Sequence, residues 1–510
     1  MKNRTTLLLL LILLAGLSLR LAGLGARSFW FDEVQTALPS VQPAGEVASL
    51  AMEQERKIPL YHLFMHFWLK VSRGEFWGRL PSVIFGVLTI WLTYLFVREF
   101  AARDKGERAA WLPLLAAGMV ALSPVLIWRS QELRMYSCLV AVSMFSALAF
   151  AKFAGRVASG RRGVAAWAVA WVVAGVVGCA VHPFYVLLAA GQAVAAVVLL
   201  WRRPKWALLA MALAIAGGAL GGVFLLSQAG DVQEIFGYFH SPELQDIFNL
   251  FRHMSIAFPI PHAPSWDVIA VVAAGAVLFG TAFVAAVFRP GRDDLREVCF
   301  MCVIVPLGIL VFFSLIVRPM LNPRFLVHTF PFFLVLAAIG VMQGRSRVVR
   351  IVWVCLIAVL SVVSLCYYYF DRDYAGTDAR GVALYLEEEA GDERVIIHSS
   401  YKTYFPSIYY NRGRLDERLL AGRHLPLYHG RPMLERVGRS VLMMEEAVKP
   451  GDVCYLVIPV ETEHWMQGTD PDVRLRELVP LDFVLDGEPK RFFGAVVYRL
   501  RRVNIPEVAN

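Results

Sequence analysis

Charged residues are scarce in this chain. Asp, Glu, Lys and Arg make up 18% of its 510 residues, where a soluble globular chain carries about 25%. With 57% hydrophobic residues, that shortage excludes a single water-soluble domain, a disordered chain and a collagen-like chain. Cysteine offers little. Of the seven, only Cys454 lies outside the long apolar runs, so no disulfide framework is implied. Cys299 and Cys302 have the C-x-x-C spacing, but inside the run Val298–Val303 they read as small hydrophobes rather than redox or zinc ligands.

The charge that is present is unevenly placed. Residues 1–369 hold 31 Lys and Arg against 18 Asp and Glu, whereas residues 370–510 hold 19 against 23. The net charge of +9 thus comes from the apolar region, and a nucleic-acid partner is not needed to explain it. Two regions follow: a membrane domain over 1–369, including an external loop at 25–78, and a soluble domain over 370–510.

A bilayer core of roughly 30 Å takes about 20 apolar residues per helix. Eleven such stretches lie near 5–24, 79–97, 109–127, 137–154, 164–181, 184–201, 206–226, 267–288, 298–317, 325–343 and 351–369. Cytoplasmic loops keep an excess of Lys and Arg. Segments 98–108, 152–162, 202–205, 289–296 and 345–350 carry 4, 4, 3, 3 and 3 basic residues. The N-terminus, with Lys2 and Arg4, belongs to the same side. The opposite short loops carry far fewer: Arg129 and Arg134, none at 182–183, Arg252, then Arg318 and Arg324. The expected arrangement is a multi-pass protein of the inner or plasma membrane, with a cytoplasmic N-terminus and an extracytoplasmic C-terminal domain. Residues 1–26 also read as a cleavable signal peptide; the length of the run favours retention.

Ionisable groups at an apolar boundary are costly unless they have partners or work. Four external positions qualify. Asp32 and Glu33 follow an aromatic cluster just beyond the first span; as plain structure they are helix-start acids beside an interfacial anchor. Adjacent helical residues point about 100° apart, so the two acids need not share a role. Glu132 and Arg134 lie in Ser130–Tyr136, which also reads as the cap of a helical hairpin. His182 occupies a very short turn, as a capping group or a functional imidazole. Arg324 enters a span with a planar fork of donors suited to phosphate, or with a side chain that snorkels to headgroups. The segment Lys57–Lys70, bounded by charge and rich in aromatics, suits a helix lying in the interface; His62 and His66 there are packing or headgroup contacts. The polar stretch 227–264, with Asp231, Glu234, Tyr238, His240, Glu243, Asp246, Arg252 and His253, reads as a lid or acceptor loop, or as a plain interfacial helix.

Taken in order, Trp30-x-Asp32-Glu33, Pro59-Leu60-Tyr61, Arg79-Leu-Pro81-Ser82, Ser130-Gln-Glu132-x-Arg134-Met-Tyr136, His182 and Arg324-Phe325 resemble family 39 glycosyltransferases. These are GT-C enzymes that use polyprenyl-phosphate sugars and include protein O-mannosyltransferases and lipid A aminoarabinose transferases. The resemblance covers roughly residues 1–345. It departs from the usual pattern at Ile58-Pro59, where relatives commonly have Pro-Pro, and at Phe325, where many have Tyr.

The resemblance implies a GT-C-like polytopic α-helical membrane fold of about 11 transmembrane helices, with a C-terminal extracytoplasmic α/β domain. It implies an inverting transferase moving a hexosyl or pentosyl group from a polyprenyl-phosphate donor to a hydroxyl of a glycan, lipid or protein. Asp32 is then the base and Glu33 orients it or the acceptor. Arg324 pairs with the donor phosphate, helped by Lys57, Arg129 and Arg134. Glu132 orders an arginine or sugar hydroxyls, and His182 contacts phosphate or a divalent ion. No cofactor is required and a divalent metal is compatible with the scheme. No glycine-rich nucleotide loop stands beside a suitable strand and helix, which disfavours a soluble nucleotide-sugar donor.

In the tail, Gly381–Glu389 reads as helix, and Arg394–His398, Val453–Val460 and Phe492–Leu500 as strands. The aromatic run Tyr401–Tyr410 suits carbohydrate binding or core packing. Two other functional classes fit eleven spans and external basic residues: a flippase of lipid-linked sugars, for which no internal repeat is seen, and a non-catalytic anchor subunit.

Overall fold

The structure, a computed structural model, describes residues 2–54, 58–101, 107–227, 243–255, 266–291, 293–317, 319–370, 377–391, 394–420, 431–460 and 470–503. Helix α1 (Lys2–Leu21) leads to three short helices, α2 (Phe31–Ser40), α3 (Ala44–Gln54) and α4 (Leu60–Leu69). Then come α5 (Glu75–Ala101), α6 (Glu107–Leu122), α7 (Pro124–Ser130), α8 (Tyr136–Ser159), α9 (Val164–Val181), α10 (Tyr185–Leu200) and α11 (Pro204–Ser227). After these lie α12 (Leu244–Ser255), α13 (Trp266–Val287), α14 (Asp294–Ile316), a 3-10 segment Pro323–Thr329, α15 (Phe330–Val341) and α16 (Arg347–Phe370).

The chain divides into two compact units, Met1–Ala22 with Arg79–Phe370 and Gly23–Gly78 with Asp371–Asn510. The sequence reading counts loop 25–78 with the membrane domain. In the structure α2, α3 and α4 pack within the unit that holds the C-terminal domain.

In the first unit, nine helices among the described residues are long and apolar enough to cross a membrane, and α6 with α7 forms a tenth, bent by 59°. The bend falls at Ser123-Pro124, where the proline ring disfavours a helical conformation in the residue before it. The 16-residue α10 is short but apolar and occupies the expected stretch 184–201. The chain is therefore a multi-pass membrane protein. Every residue of α15 is buried, which puts this helix at the centre of the bundle. Its Gly340 touches the α13 backbone: a Cβ there would stand 1.8 Å from the Ala282 carbonyl oxygen. Small residues permit such close helix crossings in membranes.

The second unit contains α17 (Ala379–Glu389), β1 (Ile396–His398), α18 (Tyr401–Asn411), β2 (Glu417–Leu420), α19 (Arg431–Val437), β3 (Ser440–Val441), β4 (Val453–Pro459), α20 (Pro471–Leu478), β5 (Phe483–Leu485), β6 (Lys490–Phe492) and β7 (Ala495–Arg502). The strands form one sheet in the order β3-β2-β1-β4-β7-β5, with β6 also paired to β7. β1 is parallel to β2 and β4, β2 is parallel to β3, and β7 runs antiparallel to β4 with Val457 opposite Val497. Apolar residues cover both faces. Leu456, Ile458 and Tyr498 line one and Tyr455, Val457 and Val497 the other, as expected for a sheet flanked on both sides.

Candidate active site

In the first unit, the ordered polar residues gather around the end of the bent α6–α7 span. Arg129, in the last turn of α7, and Glu132 are both buried and form an ion pair, with Nη1 2.8 Å from Oε2. The guanidinium of Arg129 also lies 4.0 Å from the Trp128 ring centroid and 5.0 Å from that of Tyr136. Arg134 sits 6.0 Å from the same Tyr136 ring. The intervening backbone is held from outside: Ser82 Oγ donates to the Glu132 carbonyl at 2.6 Å, and Ser137 Oγ to the Arg129 carbonyl at 3.0 Å. Ser82, part of the Arg79–Ser82 motif, thus fixes the loop that carries the charged residues.

A chain of rings continues from this loop. Tyr136 lies 6.2 Å from His182, and His182 lies 6.3 Å from Phe325, which stacks on Phe184 at 4.2 Å. The stacking gives the phenyl ring of Phe325 an apolar environment. His182 is buried and its Nδ1 accepts the Phe184 backbone N–H at 3.3 Å. Arg324, half-buried, precedes Phe325 in the 3-10 segment, whose start is capped by Asn322 Oδ1 accepting the Arg324 N–H at 3.0 Å.

Helix α12 packs against the same 3-10 segment. Its His253 donates from Nδ1 to the Asn249 carbonyl at 2.7 Å. Burial, together with the fields of Arg252, Arg129 and Arg324, lowers its pKa from 6.5 to about 3. These interactions bring Arg129 and Arg324, singled out from sequence, together with Arg252, which the sequence placed only in a polar loop. Arginines placed in this way suit an oxyanion.

Arg20 carries no sequence signal beyond a single charge within an apolar helix. Its guanidinium is fully buried between spans and donates to Ser130 Oγ and to the Gly16, Val120 and Ala121 carbonyls. It ties α1 to the α6–α7 bend and so supports the charged loop. Gln131 adds to this by donating to the Arg20 and Ala22 carbonyls while Tyr368 donates to its Oε1 at 2.8 Å.

In the second unit, Asp32 and Glu33 lie in the first turn of α2 and differ in setting. Glu33 is buried and its Oε2 accepts the Trp30 N–H at 3.2 Å, closing the helix start. Asp32 is partly exposed. The segment leading into α2 is fastened to α18. Tyr410 Oη accepts the Phe29 N–H at 2.7 Å and donates to Glu75 Oε1 at 2.9 Å, and Arg380 pairs with the same carboxylate oxygen at 2.9 Å. Phe29 meets the Tyr409 ring edge-on at 5.6 Å, and Phe31 lies 4.8 Å from Tyr401. Burial and the charge of Glu75 push the Tyr410 hydroxyl well above the usual phenol range. The aromatic run of the tail therefore packs, and what it packs on is the acid-bearing segment.

Lys57, Arg318, Asp231, Glu234, Tyr238 and His240 lie outside the described residues. His62 and His66 are buried in packing. Among the described residues, no group of three or more His, Cys, Asp or Glu is placed to hold a metal ion.

No protein-family model matches the sequence, and no curated protein matches it. Solved structures do match. The crystal structure of ArnT from Cupriavidus metallidurans bound to undecaprenyl phosphate aligns with a TM-score of 0.58 at 15% identity, covering 96% of this chain and 97% of that one. The two chains share their fold. ArnT in the apo state aligns equally well, with a TM-score of 0.58. The archaeal oligosaccharyltransferase AglB from Archaeoglobus fulgidus, in complex with an inhibitory peptide and a dolichol-phosphate, aligns with a TM-score of 0.51 at 11% identity over 90% of this chain and 70% of its own. The shared fold thus extends through the C-terminal α/β region and is not confined to the spans.

Proposed function

We propose that this GT-C-type protein transfers a sugar from a polyprenyl-phosphate donor to a hydroxyl acceptor, inverting the anomeric configuration. The charged side chains set along the rings of Tyr136, His182 and Phe325 carry the reading: Arg129 and Arg134 beside Tyr136, and Arg324 next to Phe325. That ArnT binds undecaprenyl phosphate and AglB a dolichol-phosphate supports a lipid-linked donor.

In this reading Asp32 removes the proton of the acceptor hydroxyl, whose oxygen attacks the anomeric carbon from the face opposite the phosphate. The bond from that carbon to the phosphate oxygen breaks, and polyprenyl phosphate leaves with both electrons. A single displacement inverts the centre and needs no covalent sugar-enzyme intermediate. Arg324, with Arg129, Arg134 and Lys57, holds the phosphate and stabilises the charge that grows on it. Glu132 fixes Arg129 rather than acting as a second base. His182, its Nδ1 engaged by Phe184 N–H, contacts the phosphate. Glu33 orients Asp32 by capping α2. The same reading sets the N-terminus in the cytoplasm and the C-terminal domain outside. Its acceptor is a glycan, lipid or protein hydroxyl.

The test is reconstitution of the purified protein in vesicles with a polyprenyl-phosphate hexose or pentose and candidate acceptors. Glycosylated acceptor and free polyprenyl phosphate should appear in equal amounts. Movement of the intact lipid-linked sugar between leaflets without either product would instead make the protein a flippase.

A further inference from the structure

The second unit contains a cavity of about 550 Å³ at the C-terminal ends of α2 and α4. Among the described residues, its wall carries four basic side chains, His66, Lys70, Arg73 and Arg412, together with Ser40 and Ser72, and no acid. Lys70, Arg73 and Arg412 are exposed around it, whereas His66 is buried. The His66 ring bonds the Ser40 carbonyl through Nδ1 at 2.9 Å, and its Nε2 has no hydrogen-bond partner among the described residues. Arg412 is the one described non-glycine residue with a positive φ, at 60°. It ends α18 there, so its side chain reaches this wall from a backbone conformation that glycine would adopt without cost.

Next to the cavity, α4 shows an apolar stripe to solvent. Leu60, Phe64 and Phe67 are 40%, 39% and 64% exposed and recur at helical spacing, so they form one face, and Val71, 72% exposed, follows two residues beyond the helix. Lys70 Nζ lies 4.9 Å from the Phe67 ring centroid, where the stripe meets the cavity. Arg73 stands two residues before α5, itself a membrane span. Trp68 of α4 and Trp77 of α5 stack at 4.5 Å, each indole N–H donating to the other's backbone carbonyl at 2.8 and 2.9 Å. Paired tryptophans at the entry of a span belong to the headgroup layer.

We propose that the cavity seats the phosphate of an anionic phospholipid of the surrounding bilayer, whose acyl chains lie along the α4 stripe. Charge complementarity selects the headgroup: three exposed cations and an imidazole with no acid suit an anion. The continuous apolar face selects a lipid over a free anion. The ligand is neither sugar donor nor acceptor, so the proposal stands apart from the transferase reading.

Native mass spectrometry of the full-length protein, released from nanodiscs of mixed phosphatidylglycerol and phosphatidylcholine, tests it. Wild type should retain phosphatidylglycerol in preference. Lys70→Gln with Arg73→Gln should reduce that retention about tenfold. Arg412→Gly, which removes the charge and relieves the backbone, should reduce it while leaving the melting temperature intact. Lys70→Arg should keep retention, and Asp32→Asn should not alter it, whatever becomes of transfer. Equal retention in wild type and the charge variants would overturn the proposal. So would inorganic phosphate that displaces the bound lipid as effectively as phosphatidylglycerol itself, because the cavity would then select a free anion.

Discussion

Arg129 and Glu132 form a buried pair three residues apart in sequence, with Nη1 2.8 Å from one carboxylate oxygen and 3.1 Å from the other. Both side chains are almost fully enclosed. Removing one partner of such a pair strands the other charge, at a cost of about 3–5 kcal/mol. Glu132→Ala should therefore lower the melting temperature in detergent markedly, and Arg129→Met with Glu132→Gln should recover part of the loss. A coupling energy near zero in that cycle would show that the two side chains act independently.

Arg324 carries its charge in a half-buried setting beside Phe325. Lysine keeps the charge but not the planar fork. Arg324→Lys should cut kcat/KM for the lipid-linked donor by about tenfold or more, and Arg324→Gln should cut it further, with the acceptor KM unchanged. Steady-state kinetics with donor and acceptor varied separately check this. An unchanged donor kcat/KM in Arg324→Gln would remove the residue from the phosphate site.

His253 gives a pH dependence with a definite sign. Burial first, and then the neighbouring arginines, hold its pKa at about 3, well below the usual 6.5. The unfolded chain binds the proton at higher pH than the folded one, so stability is full above about pH 6.5 and is lost as pH falls towards 3. The slope from this one group is at most about 1.4 kcal/mol per pH unit. His253→Asn should flatten the dependence of melting temperature on pH in that window. A variant as acid-sensitive as wild type would show that His253 is not the group responsible.

Tyr410 takes the Phe29 N–H and gives its own hydrogen to Glu75. Tyr410→Phe breaks both bonds and leaves the backbone N–H of buried Phe29 unsatisfied, at a cost of roughly 1–3 kcal/mol. Because the bond anchors the segment leading to Asp32, kcat should fall more than the melting temperature alone explains, with the donor KM little changed. Equal kcat in the two proteins would confine the tyrosine to a structural role.

Much of this was legible in the sequence. Long apolar runs and the change in charge density at Tyr369 gave the spans and the tail. Helix Ala379–Glu389 and strands β1, β4 and β7 fell close to where pattern put them, because buried strands leave continuous apolar runs. The two- to four-residue strands β2, β3, β5 and β6 carry too few residues to show a period. In the site, Arg129 and Arg324 were visible as charges at span ends. Arg252 was one polar residue among many in a long loop, and Arg20 was a single charge within an apolar helix; only packing reveals what surrounds them. The different settings of Asp32 and Glu33 were equally hidden, since they depend on which carboxylate turns toward the Trp30 N–H. The aromatic run Tyr401–Tyr410 left packing and carbohydrate binding open until Phe29 and Phe31 were found against it.

The assignment of Asp32 rests on one rate. Sugar transfer from a polyprenyl-phosphate donor should be measured for wild type and for Asp32→Asn, both reconstituted in vesicles and matched for insertion and melting temperature. Loss of the catalytic base should lower kcat by about 10²-fold or more while donor binding persists. Transfer at the wild-type rate by Asp32→Asn would contradict the assignment of Asp32 as the base.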